Sequence, residues 1–296
     1  MGTGYQQWCR IYPEATYGTF DSGATAILIR LHADNAFTMM PTPRFKDIRS
    51  ADGQNRPVQV VSSVTTHAGN LMTPFYPTQA AALLGWAGTI TSNALPSYTV
   101  DFYDSVRVRR WLGVGVDSLA LTAAADSDEG IFYANLALTA QTLAGSDPTF
   151  TIPAFSSFPT ELPYTLKQTS TGFTVGGSTR TKYNRVNFTI ANKLAKTVDE
   201  LAYISGLTYC GRDVTFGTSF QYVASTDQGN YEGQSALDCA LVVTHGTNTL
   251  TLDFNTKGRM SRRSRQIPLG DISREEYEMR CHYDSAASTD FSFSVV

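Results

Sequence analysis

Between Pro96 and Ala144 the chain reads PSYTVDFYDSVRVRRWLGVGVDSLALTAAADSDEGIFYANLALTAQTLA, a stretch compatible with little except β-sheet. Tyr98, Val100 and Phe102 alternate with Thr99 and Asp101, the two-residue period of a half-buried strand. Val106 and Val108 continue it, with Arg107 and Arg109 between them. Val114 and Val116 hold one parity, then Leu119 and Leu121 the other. That phase slip at Asp117 and Ser118 predicts a β-bulge, because one extra residue sends every later side chain to the opposite face. The run AADSDEG is a turn, after which Phe132, Ala134, Leu136, Leu138 and Ala140 form one apolar face against Tyr133, Asn135, Thr139 and Gln141. The block carries sheet and no catalytic arrangement.

The rest of the chain reads as more sheet. Residues 1–25 are polar, Gly-rich and aromatic, the pattern of an extended arm. A strand is expected at Ala26–His32, and a long irregular loop of mixed charge over 33–57. A second strand follows at Val58–Thr66. The one good helix signal is TPFYPTQAAALLGWAG, placed at 74–86: Pro77 suits a first turn, Thr73 or Thr78 a cap, and Gly85 or Gly88 an end. Residues 146–163 hold Pro148, Pro153, Pro159 and Pro163 and read as a linker between a domain at 26–145 and another at 164–296. Further strands are expected around Val186–Ile190, Val214–Tyr222, 236–244, 249–255, 276–284 and 290–296, with a turn at Gly211–Asp213. The order strand, long loop, Gly-led strand, turn, strand occurs in both halves. It reads either as two tandem copies of one domain or as generic β-meander periodicity. The fold class is mainly β, a sandwich or barrel with one packing helix.

Composition narrows the function. Charged residues are 17% of the chain, against about a quarter in ordinary soluble domains, so much of the surface is neutral. Such a surface suits burial against copies of the same chain. The net charge is −3, whereas tight nucleic-acid binders carry a basic excess. Cys9, Cys210, Cys239 and Cys281 are widely spaced with no CxxC pair, which argues against zinc; Cys239 and Cys281 fall in alternating strands as small hydrophobes. The first residues lack the apolar core of a secretory signal, and the longest apolar runs, near Ala26–Leu31 and Ala80–Gly88, fall short of the ~20 residues a membrane helix needs.

Catalytic signatures fail one by one. Gly217-Thr-Ser219-Phe-Gln lacks the second glycine of a nucleophile elbow. There is no phosphate-cradling glycine loop, and His32, His67, His245 and His282 are scattered. Asp126-Ser-Asp128-Glu129-Gly130 has calcium-loop composition with the glycine one place early, and reads as a solvated hairpin turn. Asn187-Phe-Thr189 matches a glycosylation sequon, which carries little without a secretory signal. Glu161, Asp199, Glu200 and Glu232 are acids of the type a glycosidase pairs, but nothing in the sequence makes them converge. One dense basic cluster, Lys257 to Arg265, could meet phosphate; the preferred reading is a loop pairing with Asp271, Glu275, Glu276 and Glu278 of another copy.

Two stretches carry a resemblance. The segments LPSYTVDFYD, WLGVGVDSLAL and ANLALTA, together with RIYPEATYGT at Arg10–Thr19, resemble the tail tube proteins of long-tailed bacteriophages. The resemblance implies a structural virion protein of the tail, assembled in the host cytoplasm and without a cofactor. Its copies would stack as rings of six, or of three if each chain holds two tube-like domains, into a conduit through which DNA passes without specific binding. Implied partners are other copies, the tape measure, and the tail terminator and distal tail proteins, with no membrane. The family also implies that the loop at about 36–57 reaches the next ring. The assembly residues singled out are therefore Arg44, Lys46, Asp47 and Arg49 in that loop, and Arg262, Arg263, Glu275 and Glu276 in the charged C-terminal region. Two alternatives stay open: another phage structural protein, such as a distal tail or decoration protein, and a sugar-binding or hydrolytic β-sandwich using Trp86, Tyr103 and Trp111 as an aromatic platform.

Overall fold

The computed structural model describes residues 7–31, 37–42, 45–49, 57–62, 65–91, 94–104, 106–126, 130–149, 153–154, 157–168, 172–180, 182–198, 204–221, 226–254, 258–266, 274–282 and 289–296. At 45–49 and 57–62 only the backbone pairing is described. The first half holds Trp8–Pro13 (β1), Ile27–Ile29 (β2), Met40–Thr42 (β3), Phe45–Arg49 (β4), Pro57–Ser62 (β5), Thr66–Pro74 (β6), the helix Pro77–Gly88 (α1), Tyr98–Tyr103 (β7), Val108–Ala124 (β8), Tyr133–Ala140 (β9) and Thr142–Leu143 (β10). The second holds Phe173–Val175 (β11), Ser178–Arg180 (β12), Tyr183–Thr197 (β13), Gly206–Gln221 (β14), the short helix Thr226–Glu232 (α2), Cys239–His245 (β15), Asn248–Asp253 (β16), Gly258–Gln266 (β17), Arg274–Cys281 (β18) and Ser292–Val295 (β19).

Twelve strands form one large sheet and β12-β11-β15-β16-β19 a second of five, while among the described residues β4 and β5 pair with each other alone. The main path of the large sheet is β17-β18-β14-β13-β8-β7-β1-β2, with β9, β6 and β3 continuing from β8 and β10 also paired to it. β8 is the seam: its start pairs with β7 and its later residues with both β9 and β13. The two sequence halves thus share one sheet and one core, which runs from Cys9 to Phe291.

The alternation read from the sequence becomes rows of buried side chains across the strands. Leu71, Leu136, Leu119, Ile190, Val214 and Cys281 form one row, and Ala134, Leu121, Phe188, Phe216 and Met279 the next. The five-stranded sheet packs on these rows: Phe173 stacks on Phe216 at 4.6 Å, Phe254 lies 5.7 Å from Phe188, and the Cys239 and Met279 sulfurs are 3.2 Å apart. The bulge occurs where the phase slips, with Val116 opposite Leu138 and Ser118 opposite Ala137. Asp117, the extra residue, accepts a hydrogen bond from the buried Thr139 hydroxyl.

Helix α1 is covered on most sides, with Leu83, Leu84, Trp86 and Ala87 fully buried, so its apolar character is not confined to one stripe. Its start lies at Pro77 rather than 74, and neither threonine caps it. Instead Glu161, from the proline-rich segment, accepts hydrogen bonds from the Thr78 N–H and hydroxyl. Burial alone would raise the Glu161 pKa, but these bonds outweigh it and hold the carboxyl below its ordinary value. At the other end the Trp86 indole donates to Val114 O, and Asn192 of β13 donates to Ala87 O and Val116 O, tying helix and sheet together.

Several expectations are corrected. Within the segment expected as an arm, residues 7–25 are not free: β1 lies between β7 and β2, with Trp8, Cys9 and Ile11 buried, and residues 1–6 lie outside the described residues. The loop at 33–57 contains β3 and the β4 strand of the β4–β5 hairpin, and the strand expected at Val58–Thr66 takes in nearly all of β5 and the first residue of β6. Gly211 to Asp213 is no turn: β14 continues through it with a bulge, the pairing slipping from Asn192–Arg212 to Leu194–Tyr209 and Gly211 taking φ +129°. The basic cluster from Gly258 onward is strand β17, not a loop.

Candidate self-assembly surfaces

With no three His, Cys, Asp or Glu placed to hold a metal among the described residues, the features to account for are strand edges and charged faces. Burial, then the charges of Asp238 and Asp253, push the Cys239 thiol up to about 12, and burial likewise raises Cys9 and Cys281, which favours the protonated thiol.

β17 is an edge of the large sheet and alternates its arginines between the two faces. Met260 pairs with Met279 and Arg262 with Glu278, so Ser261 is a bulge residue, and its hydroxyl is hydrogen-bonded at Glu278. Beyond the bulge, Arg262 points outward beside Glu278, while Arg263 points inward beside Tyr277. Arg263, 14% exposed, is ion-paired with Glu275, which is 1% exposed and also accepts the Tyr277 hydroxyl proton. Burial works against the charge on Arg263, but its hydrogen bonding with Tyr277, the charge of Glu275 and the hydrogen bond it donates to Glu275 more than offset this and raise its pKa. The acid partner of Arg263 is thus on the adjacent strand of the same chain, which corrects the expectation that it pairs with another copy. Of the four C-terminal residues singled out, Arg262 and Glu276 face solvent, and Arg263 and Glu275 belong to the interior.

The opposite edge, β2, is closed by side chains. The Gln79 amide donates to Leu28 O at 2.6 Å and the Thr73 hydroxyl to Arg30 O at 2.6 Å, both from residues at most 1% exposed. An incoming strand would have to displace them. Elsewhere the ladder is incomplete. β13 and β14 pair with each other to Thr197 and Gly206, but β8 follows β13 only to Ala191, and β18 follows β14 only from Val214. In the β4–β5 hairpin, Lys46 lies opposite Val61, Asp47 opposite Val60 and Arg49 opposite Pro57; Arg44 lies outside the described residues.

A scan against family models matches residues 9–293 to the phage tail tube proteins. The chain belongs to the phage tail tube protein family. No curated protein matches it. Membership makes this chain a structural component of a phage tail, and the mainly-β sandwich with its packing helix agrees with it. Among the described residues no helix of this tail tube protein is long and apolar enough to cross a membrane. Of the aromatic platform expected for a sugar-binding module, Trp86 and Trp111 are at most 1% exposed inside the tube-protein core, which leaves only Tyr103 of the three half-exposed.

The tail tube chain also holds polar locks that its sequence did not reveal. Asp101, fully buried, sits between Arg10 of β1 and Arg110 of β8 as their cross-strand neighbour, with contacts of 2.7 Å and 2.8 Å to Arg110 and 3.2 Å to Arg10. Phe20 covers the Arg110 guanidinium at 3.7 Å. Glu14 accepts from Ser97, Thr99, Gly18 and the Gly113 N–H, which ties the segment after β1 to β7 and β8. Gly113 has φ +61°, and a Cβ there would lie 2.8 Å from Gln141 Cβ, so only glycine fits that bend. Only register brings these residues together, and no local motif signals it.

Proposed function

We propose that this chain is a tail tube subunit that polymerises into stacked rings forming the hollow conduit for DNA ejection. The observation that carries this reading is the family match over residues 9–293. The structure offers physical means. The distal parts of β13 and β14 have no further strand neighbour among the described residues, and such edges are satisfied when a second copy adds a strand. The β4–β5 hairpin, with Lys46, Asp47 and Arg49 and preceded by Arg44, is the element proposed to reach the next ring. A head-to-tail contact that closes within a ring and repeats along its axis yields a filament. The subunit acts by assembly, without catalysis or cofactor, in the virion tail after assembly in the host cytoplasm. Its partners there are the tape measure, terminator and distal tail proteins, and the DNA passes without being gripped. Negative-stain electron microscopy of the purified protein tests this: tubes with sixfold rings, or threefold if each chain contributes two units, are expected. Replacing 45–62 by a short glycine linker should leave folded rings that no longer stack. A monomer at high concentration that ignores its tail partners refutes the proposal.

A further inference from the structure

The second half of the chain repeats the strand pairings of the first. β11 pairs with β12 and β15 as β1 pairs with β2 and β7. β14 pairs with β13 and β18 as β6 pairs with β3 and β9, and a helix follows each, α2 after β14 and α1 after β6. The long β8 does alone what β16 and β17 do in succession. Its start pairs with β7 and β10, as β16 pairs with β15 and β19; its later part pairs with β9, as β17 pairs with β18. Every one of these pairs is antiparallel, and the bulge recurs as well. Asp117 is passed over between Val116–Leu138 and Ser118–Ala137, and Ser261 between Met260–Met279 and Arg262–Glu278. A generic meander joins strands that are neighbours in sequence, and does not repeat non-local pairings such as β6–β9 and β14–β18.

Within the large sheet the two units lie in tandem. The strands run β17-β18-β14-β13 and then β8-β9-β6-β3, the same order twice. The units meet where β13 lies against β8, with Ser118 opposite Ala191, Ala120 opposite Thr189 and Leu121 opposite Phe188. The outer strands of this run are β17 and β3, the counterparts of β8 and β13. The start of β17 is covered, since Leu237 bridges Gly258 and the Gln234 amide donates to Met260 O. From Arg262 to Gln266 it has no strand partner beyond β18, and β3 has none beyond β6, among the described residues. That open stretch begins at the counterpart of Ser118, the residue from which β8 pairs with β13.

Resting on the ring reading above, we infer that each chain is a tandem pair of tube units, and that β17 of one copy joins β3 of the next as β8 joins β13 inside the chain. The internal register, carried over, sets Arg262 opposite Thr42, Ser264 opposite Met40 and Arg265 opposite Met39 of the next copy. Met40, 65% exposed in the single chain, gains a strand beside it. Pro41 comes opposite Arg263 and lacks a donor, so that rung carries one hydrogen bond instead of two. Pairing β17 with a second β17 would instead set arginines against arginines. The joint uses a different edge on each side, so it is head-to-tail and able to close a ring. With two units per chain, a ring of six units takes three chains. The joint occupies neither the β4–β5 hairpin nor the distal β13–β14 ribbon. These two are counterparts, so each chain offers two such ribbons for the other contacts of the tube.

Ser264→Cys with Met40→Cys, in a chain whose exposed Cys210 is replaced by serine, tests the joint. The Thr38 N–H points at Asn70 O inside the chain, so by the two-residue period the Met40 N–H also points away from the joint. Its pair with Ser264 is then the close, non-hydrogen-bonded kind, with Cα atoms about 4.5 Å apart and within disulfide reach. Inside one chain the two positions lie at opposite ends of the run, many strand spacings of about 4.8 Å apart, so only neighbouring copies can link. Mild oxidation of assembled protein should give a covalent ladder that ends at three chains on a non-reducing gel, and none with either cysteine alone. End-on electron-microscope averages of unmodified tubes should show threefold rather than strict sixfold symmetry. Tubes of the double variant that do not link, linking by Ser264→Cys alone, a ladder reaching six chains, or strict sixfold averages each overturn this inference and leave the tube reading standing. An unmodified protein that never forms tubes overturns both.

Discussion

Adjacent arginines on β17 should behave as different residues, and this is the sharpest check on the structure. Arg263→Ala removes the guanidinium from Glu275, which stays 1% exposed and keeps the hydrogen bond from the Tyr277 hydroxyl. Stranding one member of a buried ion pair costs about 3–5 kcal/mol. Arg263 itself retains 14% exposure and sits on an edge strand, so water reaches the site from one side and the lower figure, about 3 kcal/mol, applies. An unfolding entropy of about 2.1 cal/mol/K per residue gives about 0.6 kcal/mol/K for this chain, so the melting temperature should fall by about 5 °C. Arg262→Ala, on the outward face of the same strand, should move it by less than about 1 °C, as exposed charges contribute little to stability. Differential scanning calorimetry of the two variants under conditions that keep the protein unassembled reads this directly. Glu275→Gln on the Arg263→Ala background should recover part of the loss, because a neutral amide no longer requires a counter-charge. Equal melting temperatures for the two single variants, or a larger drop for Arg262→Ala, would refute the assignment of Arg263 to the interior.

Other expectations can be checked alongside. Asp101→Asn should cost about 3 kcal/mol in chemical denaturation, because Arg10 and Arg110 would share a neutral partner between adjacent strands. Gln79→Ala should cost about 1–3 kcal/mol by leaving Leu28 O unpartnered, and should uncover the β2 edge, so light scattering on storage should rise. The Glu161 pKa lies below its ordinary value of 4.5 when folded, so the unfolded chain takes up that proton first as the pH falls. The stability Glu161 contributes is therefore full above about pH 4.5 and is lost as the pH drops through the folded value. Denaturant midpoints should fall less steeply with acid for Glu161→Gln than for the unmodified chain.

What the sequence determined by itself is the local pattern. Period-two alternation from Tyr98 to Ala140 dictated strands, and the change of parity at Asp117 dictated a bulge, because side-chain direction along a strand is fixed by counting residues. The Ala- and Leu-rich run after Pro77 dictated a helix, and the resemblance carried by the same strands pointed to the right family. Tertiary structure decided everything that depends on which strand lies beside which. The aromatic residues of the N-terminal segment looked like those of a loose arm, yet β1 completes its ladder with β7, which lies about ninety residues away in the chain. Arg262 and Arg263 are indistinguishable in a string of basic residues. Only the bulge at Ser261 and the neighbouring β18 send one to solvent and the other to Glu275. Buried charge needs a partner at hydrogen-bond distance, and for Asp101 and Glu14 those partners come from strands and turns that only register brings near.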